Sequence, residues 1–146
     1  MIFIFDIDGV LADDSSTRHL DCTDPQQRAE FTRRVPTLRP LKQNIALVQK
    51  LAAAGSVRLF TARSAAIRVP TQNWLYDQQV PHDDLYMRPF GNMDRPEVLK
   101  HRMLQELVLN TGVRPAEVLA CDDDPAVQEM YLNWGASVLK LGENRG

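Results

Sequence analysis

Ile2-Phe3-Ile4-Phe5-Asp6-Ile7-Asp8-Gly9 stands near the start of the chain, and its reading decides the fold. Four consecutive apolar, β-favouring residues predict a strand over 2–5 that is covered on both faces, as inside a parallel sheet. The run then breaks at two aspartates. In extended backbone Asp6 and Asp8, two residues apart, point to the same side. Gly9 permits a tight turn or the close approach of a ligand. Two acids at the end of a buried strand are costly without a counter-charge, so this corner predicts a site.

Outward from this strand, a polar segment over 13–40 contains a short helix expected over 25–35, with Asp24 as cap and Pro25 in the first turn. The segment is too short for a domain and reads as a flap or minimal cap. A helix follows over 41–54. Leu41, Ile45, Val48, Leu51 and Ala52 share its buried face, and Gly55 stops it. A strand is expected over 57–61, then a helix over 65–79 that Pro70 must start or kink. Trp74 and Leu75 are its core anchors. A short strand over 84–87 leads to a helix over 96–110, which ends before Gly112. The last third holds a strand over 118–121, a helix opened by Asp124-Pro125 and stopped by Gly135, and a strand over 136–141. The polar tail from Gly142 is expected to fray. Strands alternating with helices of this length predict an α/β fold, Rossmann-like and three-layered, with a mostly parallel sheet and helices on both faces.

The 146 residues suit one domain, with 44% apolar and 25% charged residues as in a folded globular protein. Lys and Arg total 17 against 19 Asp and Glu, a net charge of −2, which excludes binding of nucleic acid by bulk attraction. Two cysteines, Cys22 and Cys121, make no disulfide scaffold and point to a reducing, cytoplasmic setting. Cys121, inside a strand, reads as a small buried hydrophobe. The three histidines are scattered and form no zinc set. No signal peptide or membrane span is expected. Trp74, Tyr131 and Trp134 fall at helical spacing, where core packing explains them better than base stacking does.

In such folds ligands bind beyond the carboxyl ends of the strands. Three strand ends here carry polar groups: Asp6 with Asp8, Thr61, and Asp122 with Asp123. They converge if their strands are neighbours. Acids gathered this closely repel and raise one another's pKa, and a hard divalent cation such as Mg²⁺ removes the conflict. Thr61 and the N–H groups after it suit a phosphate. Asp124 is better read as a helix cap. By composition alone Lys100 would be a solvated surface lysine.

These residues also resemble the signatures of the haloacid dehalogenase superfamily. Phe5-Asp6-Ile7-Asp8-Gly9-Val10-Leu11 is similar to the first, Leu59-Phe60-Thr61-Ala62-Arg63 to the second, Lys100 to the third and Ala120-Cys121-Asp122-Asp123 to the fourth. The order is right and the match runs through almost the whole chain. Within the superfamily the chain is most similar to the phosphatase domain of phage-type polynucleotide kinase/phosphatase, through Leu85-Tyr86-Met87-Arg88, residues 94–100 and residues 123–135.

The resemblance implies a single phosphatase domain over 1–146 with little or no cap. Asp6 would be the nucleophile, and Asp8 would protonate the leaving oxygen and then activate water. Thr61 and the N–H of Ala62 would hold phosphoryl oxygens, and Lys100 would orient Asp6. Mg²⁺ would be held by Asp6, the Asp8 carbonyl, Asp122 and Asp123. Aspartate at position 8 favours a phosphatase over a dehalogenase or ATPase, and the chain has no room for a mutase's cap. An open cleft suits a polynucleotide 3′-phosphate end, with Arg63, Arg68, Arg88 and Arg95 as candidate contacts. Rival readings are a phosphatase of mononucleotides or small metabolites and a non-enzymatic, metal-binding regulatory domain. No phosphate-binding loop of the kinase type is present, so no kinase activity is expected in these residues; the domain is expected either to stand alone or to be cut from a longer kinase-phosphatase chain, and to associate with a kinase or ligase activity. The oligomeric state is left open.

Overall fold

In the computed structural model, which describes residues 1–141, the first strand is the middle of the sheet. β1 (Ile2–Phe5) pairs in parallel with β2 (Ser56–Ser64) on one side and with β4 (Val118–Cys121) on the other. β3 (Asp84–Arg88) and β5 (Ser137–Val138) complete a five-stranded parallel sheet of order β3-β2-β1-β4-β5. The unbroken apolar run of β1 follows from this position. Phe3 and Phe5 enter a core that includes Phe31, Ile45, Val48 and Trp74, while Ile2 and Ile4 enter a second one with Leu99, Leu104, Leu107 and Tyr131.

The helices lie on these two faces. Phe31 of α1 (Pro25–Arg34), Ile45 and Val48 of α2 (Lys42–Ala52) and Trp74 and Leu75 of α3 (Arg68–Asp77) belong to the first core. α4 (Pro96–Thr111) and α5 (Pro125–Trp134) supply the second. Their ends use the expected chemistry. Asp24 accepts from the Gln27 N–H and Asp124 from the Ala126 N–H, each followed by proline. Gly112 and Gly135 close α4 and α5 with positive φ.

Three boundaries depart from the sequence expectation. β2 continues past residue 61 to Ser64, because Ser64 still pairs with Arg88 across a register irregularity. The helix expected over 65–79 is a 3₁₀ turn, Ala65–Ile67, and then α3. Pro70 is the third residue of α3, where a backbone N–H has no partner within the helix anyway. The last strand is two residues long rather than six, although the Leu139 N–H still donates to the Ala120 carbonyl at 2.8 Å. A short edge strand exposes little unpaired backbone. The tail from Gly142, expected to fray, lies outside the described residues.

The 13–40 segment is tied down at both ends. The Asp13 N–H donates to the Arg39 carbonyl at 2.8 Å, and Ala12 bridges Pro40. The Ser15 N–H and the Arg39 guanidinium draw the Asp13 carboxyl down to about 2. Buried Phe31 and Val35 anchor the segment from below, and the Trp74 indole donates to the Leu38 carbonyl at 3.1 Å.

Candidate active site

The loop after β1 is wound around one carbonyl. The Ile7 carbonyl accepts from the N–H groups of Val10, Leu11 and Ala12 at 3.2, 2.8 and 3.0 Å. Gly9 has φ +81°, and a Cβ on it would collide with the Asp123 carboxylate. The glycine thus supplies both the turn and the room for an acid from the strand next door.

On the β4 side the structure gathers three acids, two of them paired with one lysine. Asp6 is buried; its Oδ1 accepts from the Ile7 N–H at 2.8 Å and forms an ion pair with Lys100 Nζ at 3.1 Å. Lys100 reaches in from α4, is 2% exposed, and also donates to Asp122 Oδ2 at 2.5 Å. The other Asp122 oxygen accepts from the Asp124 N–H at 2.9 Å. Carboxylate oxygens of Asp6, Asp122 and Asp123 all come within 4.8 Å of one another. Burial and then the Asp122 charge push Asp6 well above the ordinary carboxyl range, against the pull of Lys100. Burial and Asp122 likewise raise Asp123. Burial works against the Lys100 charge, but Asp6 and Asp122 outweigh it and hold the ammonium more firmly than in water. One cation among three acids leaves a local excess of negative charge, which suits a divalent cation on oxygen ligands. Cys121 lies beside this cluster. Burial, then Asp122 and Asp6, push its thiol up to about 12, which argues against a nucleophilic role.

On the β2 side Asp8 has a different environment. Its two oxygens receive a two-pronged ion pair from Arg63, Nη2 to Oδ1 at 2.8 Å and Nε to Oδ2 at 2.9 Å. Arg63 is 2% exposed, donates from Nη1 to the Thr71 hydroxyl at 3.1 Å, and lies 5.1 Å from the centre of the Phe31 ring. The Thr61 hydroxyl oxygen accepts from the Arg63 N–H at 3.1 Å. Beside Asp8 is a recess of about 180 Å³, walled by Ala62 and Arg63 from β2 and by Leu20, Cys22 and Phe31 from the 13–40 segment.

The site residues expected from the sequence are therefore unequally placed. Asp6, Lys100, Asp122 and Asp123 form one cluster, while Asp8 and Arg63 form a pair next to it. The Asp8 side chain is turned to Arg63, and its carboxylate is not one of the three that converge, so only its backbone carbonyl is left for the metal role expected of Asp8. Arg63, expected at the substrate, is spent on Asp8, Thr71 and Phe31. Arg88 is buried and donates to the carbonyls of Ala62, Asn92 and Asp94 at 3.0, 3.3 and 2.7 Å and to Asn92 Oδ1 at 2.9 Å, so it braces a loop. Arg95 is exposed and pairs with Glu97 at 2.9 Å. Phe31, Thr71 and Cys22 belong to the site's surroundings and were not singled out for it in the sequence. No local pattern marks them.

A parallel sheet with acids, a threonine and a buried lysine at its carboxyl edge is the architecture of haloacid dehalogenase-type hydrolases. A hydrolase of that family from Streptococcus pneumoniae superposes with a TM-score of 0.67 at 14% identity, over 95% of this chain and 83% of its own. An enzyme of the family from Bacteroides thetaiotaomicron, crystallised with magnesium and inorganic phosphate, gives 0.61 at 13% identity over 99% and 96%. Residues 1–145 match the family of the polynucleotide kinase PNKP phosphatase domain, and the chain belongs to that family. Among solved structures, a chain of the Pnkp1/Rnl/Hen1 complex gives a TM-score of 0.73 at 20% identity. The match covers 96% of this chain and 45% of that one, so the chain spans less than half the length of that relative. No curated protein sequence matches the chain. It is a phosphatase domain of the haloacid dehalogenase type.

Proposed function

We propose that the chain is a magnesium-dependent phosphomonoesterase that removes 3′-phosphates from polynucleotide ends by way of an aspartyl-phosphate. The observation that carries the chemistry is the separation of two carboxylates on one loop. Asp6 is held by Lys100 and the Ile7 N–H among further acids, and Asp8 is balanced by Arg63.

In this reading Asp8 takes up a proton from solvent as substrate binds; an Asp6 oxygen attacks phosphorus, the bond from phosphorus to the sugar oxygen breaks, and Asp8 gives that oxygen its proton. Asp8 then takes a proton from water, which attacks the aspartyl-phosphate and frees phosphate and Asp6. Arg63 acts as a positioning residue, since its two-pronged grip fixes the Asp8 carboxylate. The Thr61 oxygen already accepts from Arg63, so its own proton is left to donate to a phosphoryl oxygen, beside the Ala62 N–H. Lys100 orients Asp6 and offsets charge on the phosphoryl group. Asp6, Asp122 and Asp123, with the Asp8 carbonyl, would hold Mg²⁺, which when bound offsets the negative charge that otherwise repels the anionic substrate.

The family match supports a polynucleotide end over a free metabolite. The relative in an RNA repair complex supports the further proposal that this domain works beside kinase or ligase activities. The test compares phosphate release from 3′- and 5′-phosphorylated oligonucleotides and from mononucleotides, with Mg²⁺ and with EDTA, for the wild type and Asp6→Asn. Release preferring the 3′-phosphorylated oligonucleotide, and needing both Asp6 and Mg²⁺, is expected. A higher catalytic efficiency on mononucleotides overturns the substrate assignment.

A further inference from the structure

Two of the most exposed apolar side chains in the molecule, Phe90 at 78% and Met93 at 72%, share the short loop 89–95. This loop has no freedom to hide them. Arg88 grips it at the Asn92 and Asp94 carbonyls, Asn92 Nδ2 donates to Asp94 Oδ2 at 3.0 Å, and the Asn92 N–H donates to the Pro89 carbonyl at 3.0 Å. Gly91 turns the chain with φ +82°.

Topology brings the start of the loop to the carboxyl edge of the sheet, beside Ala62. β3 is two strands out from β1, yet the helix that follows the loop carries Lys100 onto Asp6. The chain must therefore return across the carboxyl edge of the sheet between Arg88 and Pro96. At its start Arg88 Nε donates to the Ala62 carbonyl at 3.0 Å, and Cys22 of the 13–40 segment lies 4.0 Å from the same oxygen. The loop and the 13–40 segment thus meet at the residue whose N–H is proposed to hold the phosphate.

We propose that Phe90, with Met93 beside it, is the platform on which an unpaired base at or next to the 3′ end of the substrate strand stacks. The inference rests on the polynucleotide reading above. An aromatic face binds any base, because every base has a π-face, and a thioether packs well against aromatic rings. Two side chains on a narrow loop are far too small for a protein interface, which needs on the order of 1,000 Å². They are large enough for one base. A platform of this kind also accounts for substrate binding by a domain of net charge −2, which has little bulk attraction for phosphates.

The test is a double-mutant cycle between protein and substrate. Catalytic efficiency is measured for the wild type and Phe90→Ala on a 3′-phosphorylated oligonucleotide, on the same strand lacking the last or the penultimate base, and on p-nitrophenyl phosphate. The substitution is expected to cost about tenfold on the intact strand, nothing further on the strand missing the stacked base, and nothing on p-nitrophenyl phosphate. In EDTA, binding of the intact strand is expected to quench the added indole of Phe90→Trp. Equal losses on intact and base-free strands, an equal loss on p-nitrophenyl phosphate, or an unquenched indole with bound strand each overturns the platform. Wild-type enzyme that turns over p-nitrophenyl phosphate but no oligonucleotide overturns the polynucleotide reading, and the platform with it.

Discussion

Asp6 and Asp8 are two residues apart on the same loop, yet the protein treats them as opposites. Asp6 shares one lysine with Asp122 and sits in an excess of negative charge. Asp8 has an arginine to itself, with both oxygens matched to the fork. A lysine is a compact point charge that two acids can share, while the planar guanidinium fixes one carboxylate in both position and plane. The first region is left short of positive charge, as a cation site requires. The second is balanced in charge, and its carboxylate is fixed in direction.

The comparison can be broken at several strengths. Asp6→Asn is expected to lower turnover of a 3′-phosphorylated oligonucleotide by at least about a thousandfold, the loss typical of a nucleophile. A residual rate within tenfold of wild type removes Asp6 from that role. Lys100→Met leaves two buried acids facing each other without their cation. It should cost about 3–5 kcal/mol of stability in urea unfolding.

Mg²⁺ at a hundredfold excess over its Kd should add about 2.7 kcal/mol, and this gain should depend on pH. Asp6 and Asp123 have carboxyls raised from an ordinary 3.8. Without the cation the folded chain keeps their protons at pH values where the unfolded chain has lost them. Stability from these groups is fully present below about 3.8 and falls as pH rises through the raised values. The difference between melting in Mg²⁺ and in EDTA should therefore widen as pH rises above the ordinary carboxyl range. A constant difference places the cation elsewhere. On the other side of the loop, Arg63→Lys should lower kcat by roughly 10–100-fold with little change in KM and with an altered pH profile, because the fork is lost and the charge is kept. The smallest effect is expected for Phe31→Leu, about 1 kcal/mol in unfolding from the lost contact between ring and guanidinium.

The half of this comparison that was legible in the sequence is the acidic half. The strand ending in Asp6, the Asp122-Asp123 pair and the cap at Asp124-Pro125 each follow from local rules of burial, spacing and capping. The alternation of strands and helices likewise gave the parallel sheet. Lys100 is harder. Nothing in its own helix says that it is buried, and only the resemblance singled it out. The balanced half was legible least. Arg63 and Asp8 are 55 residues apart, Arg63 and Phe31 join β2 to the 13–40 segment, and such contacts leave no periodicity in the chain. Arg88 was read as a substrate contact because a charged residue near a strand end is ambiguous until its partners are known. The shortness of β5, which pairs only with Leu119 and Ala120 of the four residues of β4, does not follow from its own apolar run.

The position of β1 has a consequence for how the molecule comes into being. β1 precedes β4 by most of the domain, so Phe5 acquires its neighbour Cys121 only after all the elements between them have been made. Pairings between such distant residues form slowly, since the loop between them must close first. Until then the central strand has an open edge next to the two acids. The acidic cluster consequently assembles only once β4 is in place, and a chain stopped before residue 118 can hold Asp6 and Asp8 but never set Asp122 beside them.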